Sequence, residues 1–371
     1  MAYDIPAEQS SAQRSRNNHR DLLLISVPRT ASNLFLKVLN IHHQPNVVTN
    51  KTAGYFFYDA YMIAARDLQK PAHLWTTDEK TLIRNTYQQC LDRLEELRAQ
   101  AHRENKIVFA KEHAFWLVNP GTMHGPPSNP SANGGASPDA ARDDDVSFRL
   151  QTPDSTTPGP ERTYSPNNQT LLPDEYLRTW QLAFIIRHPA LAWPSMYRAM
   201  LKMSKELGML DEDGVRGASA ANMSLAWTRK LFDWYAEQSG GAGPLVVDAH
   251  DLIHDAGSVA LRFCEATGLD KSVVQFEWGC ATAGSGSESE SVVKKWGSEG
   301  SLDEKAARIM LSTLEASKGI VKDKAPASVD VRAEAVKWRA EFGEEAAGLI
   351  EKAVWAAMPD YEYLRERRVR A

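Results

Sequence analysis

The chain has 371 residues, of which 25% are charged and 43% hydrophobic, and its formal net charge is −5. This composition is ordinary for a globular protein and excludes wholesale disorder. The mildly acidic balance gives no global attraction to nucleic acid, although a local basic pocket can still exist. The length would suffice for two domains, but large α/β folds often use it as one.

The three cysteines, Cys90, Cys264 and Cys280, lie far apart and form no C-x-x-C pair. This spacing argues against a disulfide framework or a zinc ribbon. The first 20 residues are polar and lack the apolar core of a signal peptide. No apolar run approaches the ~20 residues that span a bilayer. We therefore expect a cytoplasmic protein with no nucleic-acid or membrane partner, whose oligomeric state the sequence does not indicate.

Short apolar runs alternate with amphipathic segments along the chain, after a polar stretch, 1–19, that we expect to be a disordered arm. Runs of this length are typical of buried parallel strands, and periodic longer segments are typical of helices. The predicted strands are 21–27, 46–50, 106–110, 182–186 and 244–247. The predicted helices are the segment that begins at Leu34, then 78–100, 190–207, 221–238, 258–267, 302–317 and 328–357.

Residues 119–173 interrupt this alternation, because they are rich in Pro, Gly, Ser, Asn and Asp and poor in large apolar residues. A long irregular stretch inside a domain is either an insertion or a functional lid, and this composition favours a flexible insertion. The segment 283–301 is predicted to be a loop. Strands separated by helices predict a single α/β domain over 20–371, with three layers and a parallel central sheet flanked by helices.

A polar loop, Pro28–Asn33, joins the first predicted strand to the helix that follows. Ligands of open parallel sheets bind beyond the carboxyl ends of the strands, where such a loop directs backbone N–H groups at one point. Thr30, Ser32 and Asn33 can add side-chain donors, and Arg29 adds a positive charge. Phosphate binding and simple helix capping both fit this segment. No Walker A motif and no acidic partner for Mg²⁺ is evident, which disfavours ATP or GTP hydrolysis.

A second basic residue, Arg187, follows the predicted strand 182–186, and Ser195 lies eight residues further on. A bidentate guanidinium and a hydroxyl together suit a phosphate group. An ion pair between Arg187 and a carboxylate at the sheet edge is the competing interpretation, since structural ion pairs are common.

The third segment is Lys111-Glu112-His113, directly after the predicted strand 106–110. If the strand continues, Lys111 and His113 point to one side of the sheet and Glu112 to the other. A histidine with a pKa near neutrality can take a proton from an alcohol, and a lysine can neutralise charge on a transferred group. A polar residue at the rim of the sheet is the alternative for His113.

Taken together, these three segments resemble the P-loop-like sulfotransferases of the soluble, small-molecule type. That family transfers a sulfuryl group from 3′-phosphoadenosine 5′-phosphosulfate (PAPS) and has a loop written P-[KR]-[ST]-G-[ST]-[ST], which Pro28–Asn33 matches in place and in part. Lys111–His113 matches its K-x-H segment, and Arg187 with Ser195 matches its 3′-phosphate site. Each motif is weak alone, whereas their common order is fairly specific.

The resemblance implies a sulfotransferase fold, PAPS as cosubstrate, no metal, and a hydroxyl of a small-molecule acceptor. His113 would deprotonate that hydroxyl, Lys111 would neutralise the moving sulfonate, and Arg29 would stabilise the leaving oxygen. Arg187 and Ser195 would hold the 3′-phosphate and so select PAPS over ATP. The residues implied to bind the cosubstrate are Arg29, Thr30, Ala31, Ser32, Asn33, Arg187 and Ser195.

Several positions depart from the family pattern. Ala31 replaces the usual loop glycine, which is a cost if that position needs a positive φ. Asn33 replaces a Ser or Thr, and Leu34 replaces an aromatic that often stacks on adenine. The late R-K-G segment is not recognisable, and Lys294-Lys295-Trp296 is its nearest counterpart. The departures at Ala31 and Asn33 keep open an enzyme of this fold with a different, cofactor-independent reaction. The long segment 119–173 is the only support for a second alternative, a non-catalytic nucleotide-binding scaffold.

Two other groups of residues carry weaker signals. The aromatic residues between Tyr55 and Tyr61 suit either the core or a wall of an acceptor pocket. His250 and His254 are four residues apart and would share a helix face, but no third metal ligand is evident, which favours turn or capping roles.

Overall fold

The computed structural model describes residues 20–65, 70–123, 148–153, 162–239, 243–279 and 293–370. Within them, five parallel strands form one sheet in the order β2-β3-β1-β4-β5. The strands are β1 (Asp21–Ser26), β2 (Val47–Val48), β3 (Ile107–His113), β4 (Trp180–Ile186) and β5 (Leu245–Asp248). The predicted parallel sheet is confirmed, and every predicted strand is present with shifted ends.

The helices of the described residues cover both faces of this sheet. In the first half of the chain they are α1 (Ser32–Val38), α2 (Tyr58–Ala64), α3 (Thr77–Arg103), α4 (Asp174–Leu177) and α5 (Pro189–Leu207). The later ones are α6 (Glu212–Asn222), α7 (Ala226–Gln238), α8 (Ala249–His254), α9 (Ala256–Thr267), α10 (Leu302–Ala316), α11 (Val331–Phe342) and α12 (Glu344–Glu366).

Two cores lie on the opposite faces of the sheet, because successive side chains of a strand point to opposite sides. Leu23 and Ile25 of β1 belong to the larger core, whereas Leu22 and Leu24 belong to the other. The remaining strands alternate in the same way, so the fold has three layers, with the sheet in the middle. This is the predicted α/β architecture.

The strands that carry the three basic segments are neighbours, since β1 lies between β3 and β4. The parallel register pairs Ser26 of β1 with His113 of β3, and Ile25 of β1 with Phe184 of β4. The carboxyl ends of the three strands therefore meet at one edge of the sheet. This brings segments far apart in sequence into a single region.

Two predicted helices are wrong in extent. The helix predicted over 221–238 is interrupted at 223–225, where the Ser224 hydroxyl accepts the Ala226 N–H and starts α7 anew. The helix predicted over 328–357 is divided at Gly343, whose φ of 84° and ψ of 169° are not helical, and it continues past Pro359 to Glu366. A capping serine interrupts the first predicted helix, and a glycine divides the second, although the helical spacing of apolar residues continues through both.

Parts of the irregular stretch 119–173 lie among the described residues, and these pack against the larger core. Phe148, Leu150 and Leu171 are buried, and the Leu150 N–H donates to the Leu171 carbonyl over 3.1 Å. Residues 124–147 and 154–161, like the arm 1–19, lie outside the described residues, so the flexible insertion stays a prediction. Among the described helices, none has the length and hydropathy to cross a membrane.

Candidate active site

The loop Pro28–Asn33 joins β1 to α1 and contains two residues in the left-handed region, Arg29 at φ 70° and Ala31 at φ 63°. The Thr30 hydroxyl, which is fully buried, donates to the Val27 carbonyl over 2.8 Å and fixes the turn between them. Ala31 thus occupies a conformation that glycine adopts at no steric cost. The sequence departure at this position leaves the loop shape in place at the expense of backbone strain.

Arg187 bonds to the backbone of Arg29, so the fold brings the two arginines together at the loop. Neither makes an ion pair within 4 Å among the described residues. Arg29 Nε donates to Ser195 Oγ over 2.9 Å, and its terminal nitrogen donates to the Met310 carbonyl. Arg187 donates to the carbonyls of Arg29 and Lys324, over 3.0 and 2.7 Å. The carboxylate partner expected of a structural ion pair at Arg187 is therefore not found in this part of the chain.

The electrostatics of the two arginines favour an anion. Burial and then the positive charge of Arg29 lower the pKa of Arg187 to about 10, against the opposing effect of Asp248. Burial also lowers the pKa of Arg29. The Nε atom of Arg187 is buried and has no hydrogen-bond partner among the described residues. An anion between the two guanidinium groups would offset their mutual repulsion and supply an acceptor for the unpaired Nε of Arg187.

Lys111 is fully buried on β3, and its ammonium group reaches the loop rather than open solvent. Lys111 Nζ donates to Asn33 Oδ1 over 2.7 Å and to the Tyr55 hydroxyl over 2.5 Å. Burial lowers the pKa of Lys111 well below its ordinary value, and the neighbouring Glu112 carboxyl opposes this shift. Asn33, which replaces the family's Ser or Thr, is thus the link between Lys111 and the loop.

His113 ends β3, and the predicted strand continues through it. Ser26 Oγ lies 2.9 Å from His113 Nδ1 and donates its own proton to the Glu112 carbonyl over 3.1 Å. With the hydroxyl proton directed to the Glu112 carbonyl, Ser26 accepts from Nδ1–H, and Nε2 has the free lone pair. Burial, and then the charge of Lys111, lower the pKa of His113, so the ring is neutral at pH 7.

Glu112 points to the opposite face of β3, as the alternation of a strand requires. Its Oε1 accepts the Phe56 N–H over 2.5 Å, and the Phe57 backbone also bonds to this carboxyl. Burial raises the pKa of Glu112 to about 8, against the effect of these bonds and of Lys111. Sequence analysis assigned no role to Glu112, and the structure shows that it anchors the start of α2.

These groups border a cavity of about 640 Å³, a volume within the range of small-molecule sites. The basic loop, Arg187 and His113 line it together with residues of α5 and α10. Lys111 is set behind the lining. The predicted site residues that line the cavity are Arg29, Ala31, Ser32, Asn33, His113, Arg187 and Ser195. Thr30 belongs to the same loop, but its side chain is buried and does not line the cavity.

An aromatic wall stands beside His113 in this cavity. The wall comprises Tyr55, Tyr58, Tyr61, Trp116 and Trp296, all of which line the cavity. The Trp116 ring meets the His113 ring edge to face at 4.5 Å between centroids. Phe56 and Phe57 from the same stretch pack into the larger core instead. The aromatic segment therefore serves both the core and the pocket, and Trp296 joins it from the segment that contains Lys295.

The two histidines of α8 do not form a metal centre with a third ligand among the described residues. His254 Nε2 lies 2.6 Å from the Ala325 carbonyl, and His250 Nδ1 lies 3.3 Å from Asp251 Oδ1. These contacts tie α8 to the segment after α10 and to its own first turn.

No protein-family model matches the chain. The sulfotransferase ppzF of Metarhizium majus (strain ARSEF 297) is 33% identical over 371 residues, which cover 94% of this chain and 96% of that protein. The sulfotransferase ppzF of Metarhizium rileyi (strain RCEF 4871) is 33% identical over 373 residues with the same coverage. Among solved structures, the sulfotransferase domain from the curacin biosynthetic pathway has a TM-score of 0.38 and 11% identity, over 88% of this chain and 98% of that domain.

The resemblance found in three short segments thus extends over nearly the whole length of two curated relatives. An identity of 33% across 94% of the chain establishes common membership of a family, and it agrees with the parallel sheet and with the order of the basic segments. The chain therefore belongs to the sulfotransferases and is a sulfotransferase-like transferase.

Proposed function

We propose that this sulfotransferase moves a sulfuryl group from PAPS to a hydroxyl of a small-molecule acceptor. The observation that carries the proposal is a pair of partly buried arginines, Arg29 and Arg187. Both lack carboxylate partners within 4 Å among the described residues, and both border the same cavity as His113. An adenosine with phosphates on both its 5′ and 3′ oxygens supplies two anionic groups for such a pair.

The residues present fit the two phosphates of PAPS. Arg29 and the backbone of the loop would hold the 5′-phosphate, where α1, with only seven residues, adds little dipole of its own. Arg187 and Ser195 would hold the 3′-phosphate, and the unpartnered Nε of Arg187 offers a donor for it. The carbonyls of Met310 and Lys324 now accept from these arginines and would be exchanged for phosphate oxygens.

In the proposed reaction, the acceptor oxygen attacks the sulfur atom in line with the bond to the 5′-phosphate. The S–O bond to that phosphate breaks, and its electron pair stays on the phosphate oxygen, next to Arg29. His113 Nε2 takes the proton of the acceptor hydroxyl. Lys111 adds positive charge from behind the lining, through its bonds to Asn33 and Tyr55. Positioning and charge stabilisation are thereby the contribution of the protein.

The acceptor class follows from the wall beside His113. Aromatic and apolar side chains form most of this side of the cavity, with few polar anchors, which suits an apolar or aromatic small molecule. A free hydroxyl of that molecule would lie against Nε2 of His113. The amide and hydroxyl groups of the loop would remain for the sulfonate oxygens.

A transfer assay tests this function directly. Wild-type protein is incubated with PAPS labelled at sulfur and a panel of phenols and alcohols, and the labelled products are separated and counted. We expect label on at least one acceptor and a loss of about 100-fold or more in His113→Ala, with little change in affinity for 3′,5′-bisphosphoadenosine (PAP). His43→Ala, an exposed histidine outside the cavity, is the matched control. Transfer by His113→Ala at the wild-type rate would eliminate His113 as the base.

A further inference from the structure

Tyr55 lies in a turn that is built directly on β3. Its N–H donates to the Lys111 carbonyl over 2.7 Å, and its φ of 60° is in the left-handed region. Gly54, at φ 144°, lies so close to the strand that a Cβ there would be 2.2 Å from the Lys111 carbonyl oxygen. A tyrosine with a positive φ, such as Tyr55, is strained and is stable only where neighbouring contacts hold its backbone in place. The position of Tyr55 is therefore specified by β3.

The next residue of β3 holds the other side of the same turn. Glu112 Oε1 accepts the Phe56 N–H over 2.5 Å at the start of α2. Lys111 and Glu112 thus fix the backbone on both sides of Tyr55, one with its carbonyl and the other with its side chain. The turn is anchored tightly enough to aim the Tyr55 side chain.

The phenol oxygen of Tyr55 accepts hydrogen bonds from neighbouring side chains. Lys111 Nζ donates to it over 2.5 Å and Asn33 Nδ2 over 3.3 Å, while Asn33 Oδ1 accepts from the same Lys111 Nζ. The three side chains form a closed triangle in which both donors point at Tyr55. Ser32 also bonds to the phenol oxygen and lowers the pKa of Tyr55. Among the residues that the structure describes, no hydrogen bond is found in which the phenol O–H is the donor. The bonds among Lys111, Asn33 and Tyr55 do not use the phenol proton, so it can be donated to a bound group.

The location of this donor matches the path of the transferred group. Tyr55 and Asn33 line the cavity, whereas Lys111 is fully buried behind them. The Tyr55 ring lies 5.4 Å from the His113 ring, centroid to centroid, and its hydroxyl contacts Asn33 of the phosphate loop. The phenol therefore spans the gap between the base and the loop, where sulfur would pass from one to the other.

We propose that Tyr55 is a further catalytic residue, whose phenol O–H donates a hydrogen bond to a sulfonate oxygen during transfer, and that Lys111 acts through it. The inference rests on the proposed function. The phenol keeps its proton, and no bond of Tyr55 is made or broken. A phenol that accepts hydrogen bonds from Lys111 and Asn33 is a stronger donor to the sulfonate than an isolated hydroxyl, because hydrogen bonds in a chain polarise one another. Burial raises the pKa of Tyr55, only partly opposed by Asn33, Ser32 and Arg29, which keeps the phenol protonated.

The first test removes only the phenol oxygen. In Tyr55→Phe we expect the rate of PAP release from PAPS, with water or p-nitrophenol as acceptor, to fall about 100-fold, while PAP affinity stays within about 2-fold. Tyr363→Phe is the matched control, because Tyr363 lies on α12 and does not line the cavity. We expect a change of less than about 3-fold there. Equal rates in the two variants would overturn the proposal.

The second test asks whether Lys111 acts through Tyr55. Lys111→Met is made alone and with Tyr55→Phe, and the variants are compared with wild type in a double-mutant cycle. We expect the double variant to be no slower than the slower single variant, since both remove the same donor. Multiplicative losses would mean that Lys111 contacts the sulfonate independently and would overturn the relay. If wild type binds no PAP, the proposed function fails first, and that outcome is distinct from a silent Tyr55→Phe.

Discussion

Ser26 and His113 are register partners at the carboxyl ends of β1 and β3, and Ser26 Oγ lies 2.9 Å from His113 Nδ1. The hydroxyl proton of Ser26 is directed to the Glu112 carbonyl, so the serine accepts from Nδ1–H and fixes the ring tautomer. Parallel pairing of two adjacent strands thereby decides which nitrogen of the proposed base is free. The orientation of the proposed base is a consequence of sheet register.

Replacing Ser26 with alanine tests this relationship. In Ser26→Ala the Nδ1–H loses its acceptor and the Glu112 carbonyl loses its donor, so the ring is free to rotate or change tautomer. We expect kcat for sulfuryl transfer to fall about 10-fold, with PAP affinity unchanged. Ser26→Thr, which keeps a hydroxyl, should recover part of the rate. A rate for Ser26→Ala equal to that of wild type would refute the proposed orientation.

Arg187 is expected to determine recognition of the 3′-phosphate. Removal of its guanidinium in Arg187→Ala should weaken PAP about 100-fold but adenosine 5′-phosphate only about 3-fold, because a charge-assisted pair contributes roughly 1.5–3 kcal/mol. The comparison is made by calorimetry. Arg178→Ala, just before the amino end of the same strand, is the control and should change neither affinity. Equal losses for both nucleotides would place Arg187 elsewhere in the site.

The strained loop residue Ala31 predicts a stabilising substitution. At φ 63° its Cβ is unfavourable, so Ala31→Gly should raise the free energy of unfolding by about 0.5–1 kcal/mol, measured by urea denaturation. PAP affinity should be equal or tighter. The same change at Ala356, on the exposed face of helix α12, should destabilise by about 1 kcal/mol. Destabilisation by Ala31→Gly to the same extent would contradict the strain.

The buried carboxyl of Glu112 predicts a pH dependence of stability. Burial raises its pKa from 4.5 to about 8, so between these values the folded chain keeps a proton that the unfolded chain loses. Its contribution to stability is thus full below pH 4.5 and is lost as the pH rises toward 8. Glu112→Gln removes this titration. It also removes the carboxyl that raises the pKa of Lys111, so the folded variant binds fewer protons than folded wild type. Both effects make the variant more stable relative to wild type as the pH rises.

Relative to wild type, Glu112→Gln should therefore gain unfolding free energy with rising pH, at up to about 1 kcal/mol per pH unit between roughly pH 5 and 8. Urea denaturation at several pH values measures the difference. Glu96→Gln, on an exposed face of helix α3, should show no such slope. Parallel curves for wild type and Glu112→Gln would contradict the raised pKa.

Much of the candidate site could be predicted from local patterns. Arg29, Lys111 and Arg187 each follow or end a short apolar run, and the carboxyl ends of neighbouring parallel strands must meet at one edge. The order of the basic segments also resembled that of the sulfotransferases, and the curated relatives confirm that the chain belongs to this family. The strands themselves can be predicted because a strand buried on both faces needs apolar residues at nearly every position.

The partners of these residues were not accessible to the same reasoning. Ser26 stands at the end of an apolar run and becomes significant only through its pairing with His113. Tyr55 reaches Lys111 because its backbone has a positive φ, and the sequence does not predict that conformation for a tyrosine. The carbonyl of Met310 meets Arg29 across 281 positions of sequence. Such contacts depend on tertiary packing, which also divided the predicted helices at residues 223–225 and Gly343.

The measurement that tests the central claim most directly is a calorimetric titration of wild-type protein with PAP, with ATP as the comparison ligand. Two partly buried arginines, assigned by the proposal to the 5′- and 3′-phosphates, predict tight, saturable binding of PAP at one site per chain. They predict much weaker binding of ATP, which has no 3′-phosphate. Absence of PAP binding by folded protein, or equal affinity for ATP, would contradict the claim that this sulfotransferase uses PAPS.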